Sequence, residues 1–103
     1  MFIIVFESTT PASKAAVGGQ YYTQMQALLR SQPGFISETP FASPIHPDQA
    51  VLIAKWETEA GVHVWRTQHE HLRIQYKARR SVFAGYRLRV GPELASLLGG
   101  TGR

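Results

Sequence analysis

One hundred and three residues make one domain, within the roughly 50 to 250 residues typical of a single folding unit. A composition that is 44% hydrophobic and 17% charged, without cysteine, is globular and excludes disulfide frameworks, thiolate nucleophiles and cysteine-based zinc sites. The net charge of +4 is uneven: residues 1–65 carry three basic and five acidic groups, residues 66–103 eight basic and two acidic.

Phe2-Ile3-Ile4-Val5-Phe6 is β-branched and aromatic and predicts a strand buried on both faces. Pro11 suits the first turn of a helix with Thr10 as its cap. From Tyr21 the spacing is helical, with Tyr21, Met25, Leu28 and Leu29 on one side, and Gln32-Pro33-Gly34 stops it. Phe35 to Phe41 is a second strand candidate, in which Pro40 suggests an edge, a bulge or the strand's end. Ser43-Pro44 and His46-Pro47-Asp48 are turn chemistry, as in a hairpin loop.

Val51 to Trp56 predicts a third strand, and Thr58 can cap the next helix, whose early acids suit the positive end of its dipole. Helical spacing covers about residues 59–80, with an interruption near Thr67-Gln68. Ser81 to Val90 returns to strand composition, Gly91-Pro92 ends it, and residues 94–103 read as a flexible tail behind a single domain over 1–93. The order β-α-β-β-α-β is the split βαβ pattern of α+β ferredoxin-like folds, with a four-stranded antiparallel sheet and helices on one face. Strands 1 and 3 are apolar on both sides, so the open face calls for a cover. A second copy supplies it, which predicts a homodimer with the two sheets face to face.

The longest apolar run, Phe2 to Phe6, falls far short of the ~20 residues of a membrane span, and a leader with a basic start and an apolar stretch of ~7–15 residues is missing. These features predict a cytoplasmic protein that engages no membrane. The basic residues Arg66, Arg73, Lys77, Arg79, Arg80, Arg87 and Arg89 attract anions. They come without an aromatic-glycine strand motif, zinc-finger spacing or helix-turn-helix pattern, so they read as a solvated helix face with ion pairs, and no nucleic-acid partner is expected.

Pro33-Gly34-Phe35, Lys55-Trp56-Glu57-Thr58-Glu59 and Trp65-Arg66 leading to His69-Glu70-His71 together resemble the antibiotic biosynthesis monooxygenase domain family. Gln75, Arg79, Phe83 and Tyr86 to Val90 fit the closing part of the pattern, and the resemblance covers residues 1 to about 93. It implies a dimeric α+β barrel and, among characterised members, oxygenases that oxidise aromatic polyketides without metal or flavin. Others degrade haem or oxidise quinols. The haem-degrading branch resembles this chain at Trp65, but its asparagine and histidine correspond to Glu7 and Gln75, which disfavours haem degradation. The anthrone-oxidising branch resembles it at Trp56, with Leu52 and Val62 where that branch has asparagine and tyrosine.

Oxygenation without a cofactor needs a substrate whose anion gives an electron to oxygen, a base or hydrogen bond that favours the anion, and an apolar site that excludes water. Histidine suits the base role, with an ordinary pKa of about 6.5, and an arginine near the oxyanion would help. In one unbroken helix, Val62, Trp65, His69, Leu72 and Tyr76 form a stripe that points His69 at the sheet. If the helix breaks before His69, His71 faces the pocket instead, so both are candidate catalytic residues. Trp56, Trp65, Leu72, Tyr76 and Tyr86 are candidate substrate-binding residues, each with packing as its plainer role. Arg87 and Arg89 fall on the opposite strand face, where ion pairing is expected.

His63, His69 and His71 do not share a helical face at i, i+3 or i+4, so no metal site is expected. Gly18-Gly19 lacks the spacing and lysine of a phosphate loop, and no serine elbow is present. The resemblance implies a cofactor-independent monooxygenase acting on a phenolic, quinol or polyketide-type aromatic. The alternative is a non-catalytic dimeric small-ligand-binding or stress-associated protein of the same fold.

Overall fold

The computed structural model describes residues 1–93, and the expected tail over 94–103 lies outside them. The elements are β1 (Phe2–Thr9), α1 (Ala15–Leu29), β2 (Phe35–Ala42), β3 (Gln49–Trp56), α2 (Glu59–Thr67), α3 (His69–Ser81) and β4 (Gly85–Pro92). The four strands form one sheet in the order β2-β3-β1-β4, with antiparallel pairing throughout. This is the ferredoxin-like α+β order expected from the sequence. No helix among the described residues is long and apolar enough to cross a membrane.

Register sorts each strand into two faces. Ile4 of β1 lies between Ala54 of β3 and Val90 of β4, and Phe6 lies between Leu52 and Leu88. The core gathers on this helix-covered face: Ile4, Leu29, Ala54, Trp56, Val62 and Trp65, with Phe2, Met25, Leu28, Phe35 and Leu88 packed around them. Trp56 is fully buried, at 0% exposure, and supplies the largest apolar area a single side chain offers. On the other face Val5 sits between Ile53 and Arg89, and Glu7 between Val51 and Arg87.

Pro33-Gly34 turns the chain into β2, with Gly34 at φ 81°, a left-handed conformation that favours glycine. The Gly34 carbonyl accepts the Glu57 N–H at 2.8 Å, tying this turn to the end of β3. Thr58 caps α2 as expected, its hydroxyl accepting the Gly61 N–H at 3.0 Å.

Two expectations are corrected and one is met. Thr10 makes no cap: Pro11 leads into a 3-10 turn over Ala12–Lys14, and α1 begins at Ala15 without a side-chain cap. The interruption expected near Thr67-Gln68 is present: the stretch is two helices hinged at Gln68, whose ψ of 130° is extended. The last strand starts at Gly85 because Ser81 still belongs to α3, and the Val82 and Phe83 N–H groups both donate to the Ala78 carbonyl. Val82 is buried under the helices, so its β-branched character serves packing rather than strand pairing.

Candidate functional site

Between the sheet and the helices lies a cavity of about 590 Å³, within the roughly 300–1,000 Å³ of small-molecule sites. It exists because small residues face one another across the layer: Gly18 and Gly19 of α1, Ala50 and Ala54 of β3, and Ala78 of α3. Ile4, Phe6, Met25, Leu52 and Trp65 supply apolar walls. The polar lining includes Tyr22 and Glu38 on one element pair and Arg66, His71, Gln75 and Arg79 on the other, with Ser8, Thr10, Tyr21, Asp48 and Gln49 besides.

The break at Gln68 decides which histidine reaches this space. Ending α2 there frees the Trp65 carbonyl, which accepts the Gln68 N–H at 3.2 Å. The Gln68 side chain turns forward and accepts the His71 N–H, at 2.6 Å, capping α3. His71 Nδ1 lies 2.7 Å from the same Trp65 carbonyl. A carbonyl only accepts, so Nδ1 carries the hydrogen and Nε2 of the neutral ring is left as the base.

His71 is 7% exposed, and its ring stacks on Trp65 at a centroid separation of 3.9 Å and an angle of 8°. Burial pushes its pKa below the usual histidine value of 6.5, and the Arg79 and Arg66 charges add to that. The bond to the Trp65 carbonyl opposes them. The result is an imidazole held neutral in a cavity wall.

His69 stands on the exposed first turn of α3 and does not line the cavity. The sheet-facing stripe of an unbroken helix does not form, because the hinge resets the helical phase after Thr67, and of the two alternatives it is His71 that lines the cavity. Trp65 and Leu72 line the cavity, and Leu72 remains 45% exposed at its mouth. Trp56 does not line it but stands behind Trp65, ring centroids 6.1 Å apart, with Phe35 edge-on to it at 5.5 Å. The Trp56 Nε1–H is buried and has no hydrogen-bond partner among the described residues. Tyr76 points outward, 50% exposed, and accepts a hydrogen bond from Arg80 at 2.7 Å. Tyr86 lines a separate depression with Glu7, Phe41 and Arg87. The Arg79 guanidinium lies 4.8 Å from the centre of its ring.

On the opposite strand face Arg89 pairs with Glu7 at 2.8 Å, as expected for that side. Among the described residues, no three His, Asp or Glu side chains gather as metal ligands.

The family model of antibiotic biosynthesis monooxygenase matches residues 1–77. The chain belongs to the antibiotic biosynthesis monooxygenase family. A jasmonate monooxygenase of Pyricularia oryzae is 29% identical over 97 residues, which are 94% of this chain but 45% of that protein. The chain thus spans a little under half the length of this curated relative. SnoaB of Streptomyces nogalater, described as a cofactor-independent oxygenase, superposes with a TM-score of 0.81 over 94% of this chain and 96% of its own, at 18% identity. Rv0793 of Mycobacterium tuberculosis does so at 0.80 over 92% and 96%, at 12% identity. These structural likenesses establish a shared fold.

Tyr22 and Glu38 of this family member escape a reading of the sequence as cavity residues, and Arg66 and Arg79, read there as part of a solvated helix face, line the cavity as well. For Glu38 the cause is an irregularity in β2, where the register shifts between Phe35 and Ser37 and leaves Ile36 as an extra residue. Simple alternation from Phe35 would send Glu38 to the outer face. The bulge reverses the parity, so Glu38 pairs with Ala54 and faces the cavity. Pro40, which suggested an edge, a bulge or the strand's end, lies on the edge strand β2 in regular register with Leu52, and the bulge falls before it.

Proposed function

We propose that this family member is a cofactor-independent monooxygenase for a phenolic, quinol or polyketide-type aromatic, with His71 as its base. The observation that carries the reading is the buried His71 ring, stacked on Trp65 and held through Nδ1 to the Trp65 carbonyl, in the wall of a largely apolar cavity. A phenol would lie in the cavity with its hydroxyl donating to Nε2. Proton transfer to His71 gives the phenolate, and Arg66 and Arg79, which line the same cavity, favour that anion.

The phenolate gives one electron to molecular oxygen, and the resulting radical and superoxide join at a hydrogen-bearing ring carbon ortho or para to the oxygen. The peroxide anion takes the His71 proton on its outer oxygen, and the proton of that ring carbon leaves with the departing hydroxide as the O–O bond breaks. A quinone and one water leave, and His71 returns to its starting state. The electrons come from the substrate, so the scheme calls for no metal or flavin. The apolar walls keep bulk water from the charged intermediates. The base is restricted to His71, since His69 lies away from the cavity.

The reading also includes a homodimer. Ile3, Val5, Val51 and Ile53 form an apolar strip on the sheet face opposite the helices, and a second copy of the sheet would cover it.

Oxygen uptake over a panel of quinols and anthrones tests the activity. His71→Gln is expected to lower kcat by about 10²–10⁴-fold, the usual contribution of a general base, while His69→Gln leaves it unchanged. Equal activity of wild type and His71→Gln on an oxidised substrate would remove His71 from the chemistry. Saturable binding of the panel without oxygen uptake would favour the non-catalytic reading.

A further inference from the structure

Glu38 is an acid on the helix-covered face of the sheet, where Ala54, Leu52, Ile4 and Phe6 are among its neighbours across the strands. The Tyr22 hydroxyl donates to Glu38 Oε1 at 2.9 Å, and Gln26 Nε2 donates to the Tyr22 oxygen at 2.9 Å. These bonds run from one turn of α1 to β2 and fix the carboxylate at the cavity wall. A carboxylate offers about four acceptor sites, and Tyr22 uses one. None of the ion pairs among the described residues involves Glu38.

A half-buried carboxylate aimed into an apolar cavity is costly unless its acceptor sites are filled. Packing alone would be served by an apolar residue here, and Tyr22 would then need no partner on β2. The arrangement is that of a receptor for a donor group. The opposite wall has the reverse polarity, with Arg66, Arg79 and the unprotonated Nε2 of His71.

We propose that Glu38, positioned by Tyr22 and Gln26, is a ligand-recognition site that selects aromatic substrates bearing a second hydroxyl, distal to the one held at His71. The cavity thus has two poles: the cationic wall receives the acidic hydroxyl and Glu38 receives the distal O–H. The inference rests on the oxygenase reading only for the position of the reacting hydroxyl. The distal contact stands on its own geometry. A site built to bind a hydroxyl discriminates strongly against an analogue that lacks it.

The test is equilibrium dialysis of the full chain, under nitrogen, against 2,6-dihydroxynaphthalene and 6-methoxy-2-naphthol. The two share one hydroxyl and differ in whether the far end donates. Wild type should bind the diol on the order of tenfold more tightly than the ether, as a hydrogen bond to a charged acceptor implies. Glu38→Gln should bring that ratio to about one or invert it, because the new amide N–H donates to the ether oxygen. Tyr22→Phe should lower the ratio while leaving a preference for the diol. Each ratio is taken on one protein sample, so a variant that folds less completely still reports it. An unchanged ratio in Glu38→Gln, a wild-type ratio near one, or no saturable binding of the diol would overturn the proposal. Absent oxygen uptake with the bound diol would count against the oxygenase reading alone and leave the ratio to decide the recognition site.

Discussion

At the residue scale the chemistry turns on one imidazole whose two nitrogens are assigned different tasks. Nδ1 is committed to the Trp65 carbonyl, so proton exchange is left to Nε2, and burial with two nearby arginines keeps the ring neutral below its ordinary range. The same depression links folding to pH. Above about pH 6.5 the His71 ring is neutral in both folded and unfolded chains and contributes no pH dependence. As pH falls below that value the unfolded chain binds a proton that the folded one refuses, so stability drops. The slope ends once pH passes the lowered folded value. Thermal unfolding between pH 7.5 and 4.5 should therefore show a larger loss of Tm for wild type than for His71→Gln. Parallel profiles would mean that His71 is not held neutral. With a substrate in hand, kcat/KM should keep its plateau to a pH below 6.5, because the base is inactive only when protonated.

At the element scale, the departures from simple periodicity place the site. The hinge at Gln68 and the extra residue at Ile36 each shift the phase of the residues after them, and they bring in His71 and Glu38 in turn. A third local feature, Gly18-Gly19 inside α1, separates helix propensity from packing. A Cβ on Gly19 meets nothing within 4 Å, whereas one on Gly18 lies 3.1 Å from Val82 Cγ1. Gly19→Ala should stabilise the fold by about 0.5–1 kcal/mol through helix propensity and a less flexible unfolded chain. Gly18→Ala should lose that gain to crowding between α1 and the end of α3. Urea unfolding of the two variants checks the contrast, and equal stabilisation would show that α1 and α3 have room to part. The strand and helix order was legible because β1 and β3 are runs of β-branched and aromatic residues and Thr58 opens a plainly capped helix. The histidine's place was legible only as a conditional. Periodicity gives angles within a helix and cannot fix the single ψ at Gln68 on which the phase depends. Glu38 was hidden for the same reason, since alternation counts residues and a bulge adds one. The start of β4 was misread because Val82 and Phe83 have strand-forming side chains, and tertiary packing at the end of α3 outweighs that propensity.

At the scale of the whole molecule, helices cover one face of the sheet and leave the other bare. Ile53 lies in the middle of that face, paired laterally with Val5 on β1 and Thr39 on β2, and Val51 and Ile3 extend the apolar strip. Charged side chains border it: Glu7 with Arg89, and Lys55 with Glu93 at 3.3 Å. An apolar centre with a charged rim is the anatomy of a protein interface. A twofold axis through it would make the contact self-complementary. In the proposed dimer Ile53 would meet the partner sheet, whereas in a monomer it would meet water. Ile53→Lys separates these cases, because a lysine on the free face extends into solvent but an unpaired ammonium between two sheets costs several kcal/mol. Sedimentation velocity at micromolar concentration should show wild type as a dimer and Ile53→Lys as a monomer, with the dimer dissociation constant weakened by at least about 100-fold. The far-UV circular dichroism of the variant should keep its α+β character, since the helix-covered core is untouched. A wild-type monomer, or a variant that still dimerises, would place the interface elsewhere or remove it.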